Sequence, residues 1–434
     1  MSQIDDRGQA LKVLVIGSGG REHALVWKIK QSPMVDEVFC VPGNGGIARE
    51  ATDVPIDPSD FNALADFAQA QAIGLTVVGP EVPLVAGITD VFAARGLKVF
   101  GPSAKAAQLE GSKIFAKDIM EKYGVPTAAA KLFTDYGEAA AYLATLDAPY
   151  VVKADGLAAG KGVFIAKTLA EAEDAVRSCL VKGQFGAAGD QVVIEEYMEG
   201  SELSVLAFSD GKNVMPMVPA QDYKRAYDGD EGLNTGGMGS YSPVPIVTAE
   251  LYEDIVELVL KPMIAGLSAE GIEYRGVIYA GLMLTKTGPR VLEFNARFGD
   301  PETQAILPRL ESDIIEPMLA VAEGDISRVK LKWKDEVCAT VVLASGGYPS
   351  DYETGFEITG LDEASAMEGV AVFHAGTKLS EGKIVTAGGR VLNVSALGTD
   401  FAQARERAYA AIEKINFEGM HYRKDIALRA VDMG

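Results

Sequence analysis

Cysteine and histidine are scarce, three of each in 434 residues, and their scarcity removes several chemistries at once. Cys40, Cys179 and Cys338 show no C-x-x-C spacing, and Cys40 and Cys338 lie in apolar, strand-like runs, so buried free thiols are expected. No two of His23, His374 and His421 have metal-ligand spacing, which leaves a zinc site without support. Catalysis must then rest on carboxylates, lysines and arginines. Long apolar runs are also missing: no stretch of about 18 residues could span a bilayer. Positive charge is in deficit, 40 basic against 61 acidic residues for a net −21, and no Lys/Arg run offsets it, so a nucleic-acid partner is not expected. The polar start M-S-Q-I-D-D-R-G-Q-A lacks the basic and apolar regions of a secretory signal, making the cytoplasm the expected location.

What is present is ordinary globular composition, 48% hydrophobic and 23% charged, in a chain long enough for several domains of about 150 residues. Lys12 to Ile16 is a continuous apolar strand, followed by G-S-G-G (Gly17–Gly20) and a helical run to about Lys30. Such a turn gathers free amides and the positive end of a helix, a seat for an anion. The dinucleotide fingerprint fails, since Glu22 stands where its third glycine belongs. Further strands at 37–41, 75–78 and 98–100 alternate with helices near 61–71 and 84–95, predicting a doubly wound parallel layer. P-G-N-G-G (Pro42–Gly46), G-P-E (Gly79–Glu81) and G-P-S (Gly101–Ser103) fall at the carboxyl ends of these strands, where open parallel sheets bind ligands. Each loop alone is also ordinary turn chemistry.

After Gly111 the pattern changes. A helix over about 112–122 carries Lys113, and V-V-K-A-D-G-L-A-A-G-K-G-V puts Lys153 at a strand end before a glycine hairpin containing Gly160, Lys161 and Gly162. This is not a P-loop, because Gly162 replaces the required Ser/Thr and a strand follows. A hairpin of this kind can close over phosphates as a lid, a plain turn being the alternative. E-E-Y-M-E-G-S-E (Glu195–Glu202) reads as an interstrand hinge whose backbone can pair with an adenine edge and whose Glu202 can accept from ribose hydroxyls, or else as exposed acid. The stretch 220–245 has little predicted regular structure, and its charged and aromatic residues argue for function. A helix over about 248–269 precedes paired strands at 276–285 and 290–295. From about Leu331 new strands (337–344, 370–374, 389–394) and a helix near 401–415 suggest a third unit.

The densest chemistry lies in V-L-E-F-N-A-R-F-G-D-P-E-T (Val291–Thr303). Strand side chains alternate faces with a rise of roughly 3.3 Å per residue, so Glu293 and Asn295 share one face about 7 Å apart. A carboxylate plus an amide carbonyl suits Mg²⁺, with phosphate and water as remaining ligands. Arg297 can grip a carboxylate or phosphate in two-point fashion and Asp300 can hold an amine. A strand end with solvated charges is the plainer alternative.

Taken in order, Lys113, the glycine hairpin, the hinge and L-E-F-N-A-R-F-G-D-P-E-T resemble the ATP-grasp superfamily. G-S-G-G-R-E-H-A, P-G-N-G-G, Q-D-Y-K-R (Gln221–Arg225), N-T-G-G-M-G-S-Y-S-P (Asn234–Pro243) and H-A-G-T (His374–Thr377) are similar, within it, to the phosphoribosylamine–glycine ligase family. The resemblance implies an α/β architecture: an N-terminal doubly wound parallel sheet (1–111), a central ATP-grasp fold (112–330) with a mobile lid over about 125–190, and a small mixed α/β C-terminal domain (331–434). It implies ATP with Mg²⁺ or Mn²⁺, glycine and 5-phosphoribosylamine as reactants, a glycyl phosphate intermediate, a place in purine synthesis and a monomeric state. Lys113, Lys153, Gly160, Lys161 and Gly162 would meet the phosphates. Glu195, Tyr197 and Glu202 would meet the nucleoside, and Glu293 and Asn295 the metal. Arg297 would steady the acyl phosphate and Asp300 an amine. Gly19, Asn44, Gly45, Gly46 and Glu81 would hold the phosphoribosyl part, with Asp222 and Arg390 as further substrate contacts. Two positions depart from the family pattern: Tyr223 stands where a histidine is expected, and Y-A-G-L-M-L, the strand before E-x-N, carries no acidic metal ligand. A related ATP-grasp ligase using another purine intermediate or bicarbonate is the alternative enzyme. A nucleotide-binding regulator would require a broken lysine or metal set.

Overall fold

The computed structural model describes residues 10–157 and 162–433. Its first layer has five parallel strands, β1 (Leu11–Gly17), β2 (Val35–Pro42), β3 (Thr52–Asp53), β4 (Leu75–Val78) and β5 (Val99–Phe100), in the order β3-β2-β1-β4-β5. Central β1 is covered on both sides, which is why Val13–Ile16 is unbroken aliphatic sequence. Val13 and Val15 pack toward α1 (Gly20–Ile29), and Leu14 and Ile16 toward α2 (Phe61–Ala70). The single helix expected over 84–95 is two, α3 (Glu81–Val85) and α4 (Ile88–Ala94), because Gly87 takes φ 92° and interrupts the ladder. α5 (Ala104–Gly111) leads to α6 (Lys113–Tyr123), capped by Ser112 Oγ, which accepts from Phe115 N at 3.1 Å.

A second, antiparallel sheet contains β6 (Ala130–Phe133), β7 (Tyr150–Ala154), β8 (Val163–Ala166) and β9 (Val192–Glu195) in the order β6-β9-β7-β8. With α7 (Tyr136–Leu143) and α8 (Leu169–Leu180) it closes a small core of its own around Phe133, Val152, Val192 and Ile194. Strand alternation puts Leu132, Val151, Lys153, Ile165, Val193 and Glu195 on the opposite face.

β10 (Ser201–Asp210) and β11 (Val214–Pro216) belong to a third sheet. The stretch 220–245 is more ordered than its sequence suggests, a correction: it contains β12 (Gln221–Asp222), β13 (Arg225–Tyr227), β14 (Glu231–Asn234) and β15 (Gly239–Ser242). Strands of two to four residues rich in Gly, Asn and charge carry no readable alternation. α9 (Ala249–Ile255) runs through a π-helical turn into α10 (Lys261–Ala269), with Pro262 at the junction. β16 (Arg275–Thr285) and β17 (Gly288–Asn295) complete the third sheet, β11-β10-β16-β17. α11 (Glu302–Ile306) and α12 (Ile315–Glu323) follow.

The C-terminal part adds β18 (Val337–Ala344), α13 (Leu361–Ser365), β19 (Val370–His374), β20 (Thr377–Ser380), β21 (Lys383–Thr386), β22 (Arg390–Gly398) and α14 (Phe401–Ile412). Its main sheet has the order β12-β15-β18-β22-β19, so two strands from the 221–242 region belong to it and the layer crosses the boundary expected at 330. One hydrophobic core accordingly runs from Val205 and Ile278 to Val341 and Ala408. The three cysteines are buried and unpaired. No described helix is long and apolar enough to cross a membrane.

Candidate active site

A cleft lies where the outward face of the β6–β9 sheet meets the third sheet. Pairing of Glu293 with Gly281 and of Asn295 with Tyr279 puts both side chains on one face of β17, as alternation predicts, together with Glu202 and Ser204 from β10. Glu293 is half-buried and makes no hydrogen bond or ion pair with any other described residue. Burial favours its neutral form, but Lys224, Lys153, Lys113 and Arg297 outweigh this and hold its carboxyl below the usual range. Asn295 is buried, and its Oδ1 accepts from Arg297 Nη2 at 3.2 Å.

The lysines surround this carboxylate. Lys113, the first residue of α6, donates to Gly156 O at 3.1 Å; burial lowers its pKa against the pull of Glu293, and Lys153 adds to the lowering. Lys153 Nζ reaches Glu195 Oε2 at 2.8 Å and Leu292 O at 3.0 Å. Lys117 takes the other oxygen, Glu195 Oε1, at 3.1 Å. Glu195 therefore needs a correction as a nucleoside ligand: its carboxylate is buried between two ammonium groups, and only its main chain remains for a base. Lys117 escaped the sequence reading, although it sits one helical turn after Lys113 on the same side of α6, a spacing that could have revealed it.

Tyr197 is 39% exposed on the strap after β9, and Glu202 forms an ion pair with Lys224 at 2.6 Å. Leu132 and Ile165 are exposed on the cleft-facing side of the β6–β9 sheet, 43% and 47%, beside Val151 and Val193. They present an apolar surface of the kind an aromatic base can lie against, another feature absent from the sequence reading. Gly162 accepts from Ala154 N at 2.8 Å at the entrance to β8; Gly160 and Lys161 lie outside the described residues.

Asp222 is half-buried, and burial pushes its carboxyl up to about 7; Lys224 opposes the rise, while Glu302, Glu202 and Glu293 reinforce it. Lys224 is driven the other way: burial would lower it, but Glu202, Asp222 and Glu293 raise it well above its usual value. Glu302, missed from sequence, is buried and accepts from Tyr279 OH at 2.9 Å and Ser204 Oγ at 3.2 Å. Next to Asp222, Tyr223 points into the core, with Arg429 4.0 Å and Arg423 4.7 Å over its ring. The replacement of the expected histidine thus alters core packing rather than the cleft.

The second charged region is a corner at the carboxyl edge of β1, and here expectation needs correction. Gly19 N does not face an open anion seat; it donates to Glu22 Oε2 at 2.6 Å, and Arg21 N donates to Asp300 Oδ2 at 3.2 Å. Asn44 is likewise spent: Nδ2 donates to Ser18 O and His374 O, both at 2.8 Å, and Oδ1 accepts from the amides of Gly46 and Ile47, both at 2.9 Å. Gly45 N donates to Thr377 O at 3.3 Å. The amides of Gly19, Gly45 and Gly46 and the Asn44 side chain are thus committed to shaping the corner.

Arg297 joins the two regions, reaching Glu110 at 2.8 Å and Glu81 at 3.3 Å; the two carboxylates overcome its burial and raise its pKa. Burial raises Glu110, a further unanticipated neighbour, despite Arg297. Arg390 is half-buried: its Nη1 donates to Gly236 O at 2.6 Å and Asp300 O at 2.8 Å and lies 3.3 Å from Asp300 Oδ1. Gln304 Nε2 holds the same Asp300 oxygen at 2.9 Å. Burial would neutralise Asp300, but Arg390 and Arg21 keep its carboxyl below the ordinary range.

Two antiparallel sheets around a lysine-rich cleft, behind a parallel N-terminal layer, define an ATP-grasp enzyme. The fold is shared with a biotin carboxylase–β,γ-ATP complex from Campylobacter jejuni, at TM-score 0.74 and 16% identity over 99% of this chain and 96% of that one. Family models for phosphoribosylglycinamide synthetase match the N domain at 11–110, the ATP-grasp (A) domain at 111–303 and the C domain at 338–429, and the chain belongs to this family. Phosphoribosylamine–glycine ligase of Caldanaerobacter subterraneus subsp. tengcongensis is 53% identical over 417 residues, covering 96% of this chain and 99% of the relative. The same enzyme from Pseudomonas aeruginosa is 53% identical over 424 residues, with 97% and 98% covered. A crystal structure of phosphoribosylamine–glycine ligase from Thermotoga maritima superposes with TM-score 0.83 at 36% identity, covering 96% of this chain and all of the other.

Proposed function

We propose that this chain joins glycine to 5-phosphoribosylamine with ATP, giving glycinamide ribonucleotide, ADP and phosphate for purine biosynthesis. The observation that carries the assignment of the cleft is Glu293: a carboxylate unpaired among the described residues, ringed by Lys113, Lys153 and Lys224. In our reading the apolar face of Leu132 and Ile165 receives the base, the strap at Glu195–Tyr197 offers main-chain contacts to its edge, and Glu202 accepts from the ribose. Lys113 and Lys153 neutralise phosphate oxygens, with Gly162 at the edge of the same hairpin.

The donor set fits a divalent ion. Glu293 is open, Asn295 supplies an amide oxygen once Arg297 turns aside, and no cluster of three His, Cys, Asp or Glu residues capable of holding a metal occurs among the described residues. Two protein oxygens completed by phosphate and water suit Mg²⁺, or Mn²⁺ in its place. When bound, such an ion would neutralise charge on the transferring phosphoryl group.

Glycine's carboxylate is a poor acyl donor. One of its oxygens attacks the γ-phosphorus, the bond from γ-phosphorus to the bridging oxygen breaks, and ADP leaves. The amine of phosphoribosylamine then attacks the acyl carbon of glycyl phosphate, the C–O bond breaks, phosphate leaves with one glycine oxygen, and the nitrogen loses its proton to solvent. Arg297, held by Glu81 and Glu110, would steady the acyl phosphate. Asp300, kept ionised, would hold an amine; Asp222 would contact the amino acid substrate. Glu81 and Arg390 would face the phosphoribosyl group in a corner bordered by Gly19, Asn44, Gly45 and Gly46. We read the protein as a cytoplasmic monomer acting on small molecules; its net charge of −21 disfavours nucleic acid.

Glycine labelled with heavy oxygen in its carboxylate should deliver one labelled oxygen to each inorganic phosphate, and sustained, multiple-turnover ADP formation should require all three substrates. Phosphate carrying oxygen from labelled water, with the glycine label retained, would mean simple hydrolysis and defeat the acyl-phosphate route.

A further inference from the structure

The H-A-G-T run and the histidine of R-E-H-A have no part in the chemistry just described, yet the fold brings them together. His23 lies on α1 directly after the glycine turn, His374 ends β19, and both are at most 5% exposed with ring centroids 5.4 Å apart. His374 N donates to His23 Nδ1 at 2.7 Å. That nitrogen therefore carries no proton, so the hydrogen sits on Nε2 and is donated to Glu50 Oε1 at 3.3 Å. The contact thus fixes the tautomer of His23.

From this pair the contacts run directly into the P-G-N-G-G loop. His374 O accepts from Asn44 Nδ2, Thr377 O accepts from Gly45 N, and Thr377 Oγ1 lies 3.1 Å from His374 Nδ1. Gly46 rests against both imidazoles, where an added Cβ would collide with His23 Cε1 and the His374 ring. Asn44 passes the constraint on to Ser18 O, in the turn that begins the corner. A loop with no helix or strand of its own at Gly43–Gly46 is thereby held by a segment some 330 residues away in sequence.

The geometry points to His23 and His374 as positioning residues: together they fix the loop Pro42–Gly46 and, through Asn44, the Ser18–Gly19 turn in the shape that admits 5-phosphoribosylamine. Neither touches substrate. The inference rests on assigning this corner to the phosphoribosyl substrate, and it predicts an effect confined to that substrate.

The test measures KM for ATP, glycine and 5-phosphoribosylamine in the full chain and in His23→Ala, His23→Asn, Gly46→Ala and Glu81→Gln. His23→Ala, which deletes the acceptor of the His374 amide, should raise KM for 5-phosphoribosylamine about tenfold, with the other two KM values within about twofold of the parent. His23→Asn places its Oδ1 where Nδ1 was and should recover most of that loss; it is also the variant to read where the alanine form does not fold. Gly46→Ala should reproduce the selective rise by displacing the two imidazoles, without deleting any hydrogen-bonding side chain. A parallel rise in all three KM values, or His23→Asn no better than His23→Ala, would overturn the inference. Glu81→Gln separates it from the assignment beneath it. If only Glu81→Gln weakens 5-phosphoribosylamine, the positioning role fails alone; if none of the variants does, the corner has been misassigned and both fall.

Discussion

The central cleft and the N-terminal corner are both made from glycine turns and charged side chains, and they end in opposite states. In the corner, the amides of Gly19, Gly45 and Gly46 and the side-chain amide of Asn44 have protein acceptors, and Asp300 is held by Arg390, Gln304 and the Arg21 amide. In the cleft, Glu293 has no partner among the described residues, burial reinforced by Glu302, Glu202 and Glu293 pushes Asp222 up against the pull of Lys224, and Glu202, Asp222 and Glu293 push Lys224 up against its burial. A satisfied network fixes shape, whereas an unsatisfied one waits for charge from outside. The cleft is thus suited to phosphates and a cation, and the corner to recognition by shape.

Glu195 offers the most forceful way to break this contrast, because each of its two oxygens is paired with a lysine inside the cleft. Glu195→Leu leaves Lys117 and Lys153 buried without their shared carboxylate. Removing one side of a buried pair costs about 3–5 kcal/mol, readable in urea unfolding without any ligand. A loss below about 1 kcal/mol would show that both ammonium groups escape to solvent and that the cleft lacks a rigid floor. Glu293→Gln should behave in the reverse way: folding survives, since no described residue depends on it, while turnover falls on the order of 100- to 1000-fold. Nucleotide affinity measured by calorimetry should change far less. Equal losses in turnover and nucleotide binding would move Glu293 from phosphoryl transfer to nucleotide binding.

The contrast was only half legible in the sequence. Alternation along Val291–Asn295 assigned Glu293 and Asn295 to one face, and the pairing with Gly281 and Tyr279 agrees, because period-two patterns survive wherever one face is buried. Lys117 is equally readable, at i+4 from Lys113 on the same helix. The closed state of the corner was not readable at all. It depends on Asn44 meeting His374 and on Arg21 meeting Asp300, contacts across 330 and 279 residues for which no local pattern exists. The same limit hid β12 and β15: two short polar strands find their sheet only when β18 arrives.

Arg390 tests whether the corner also recognises charge. Its guanidinium lies over Gly236 and Asp300, so Arg390→Ala removes both a prop for Asp300 and a phosphate-sized positive group. KM for 5-phosphoribosylamine should rise about tenfold to a hundredfold, the worth of about 1.5–3 kcal/mol in charge-assisted bonds, while KM for ATP holds. Matching increases for both substrates would make Arg390 a general strut and leave the corner with shape alone.

The smallest effect should come from acid, and it should fall on the corner before the cleft. Burial pushes His374 down from its ordinary 6.5 to about 3, with His23 and Arg49 adding to the fall. Between those two values the unfolded chain binds a proton at this position that the folded chain refuses, so stability rises with pH across the window and is lost as pH drops through it. From about pH 7.5 to about pH 5.5 this one group should remove about 1.4 kcal/mol, most of it below about pH 6.5. His374→Gln has no such proton to take up. Urea unfolding at both pH values should therefore show a smaller acid loss in the variant than in the parent, even if the variant is less stable overall. An identical pH dependence in the two proteins would mean that His374 is protonated in the fold at pH 5.5, and that the corner admits more water than its hydrogen bonds suggest.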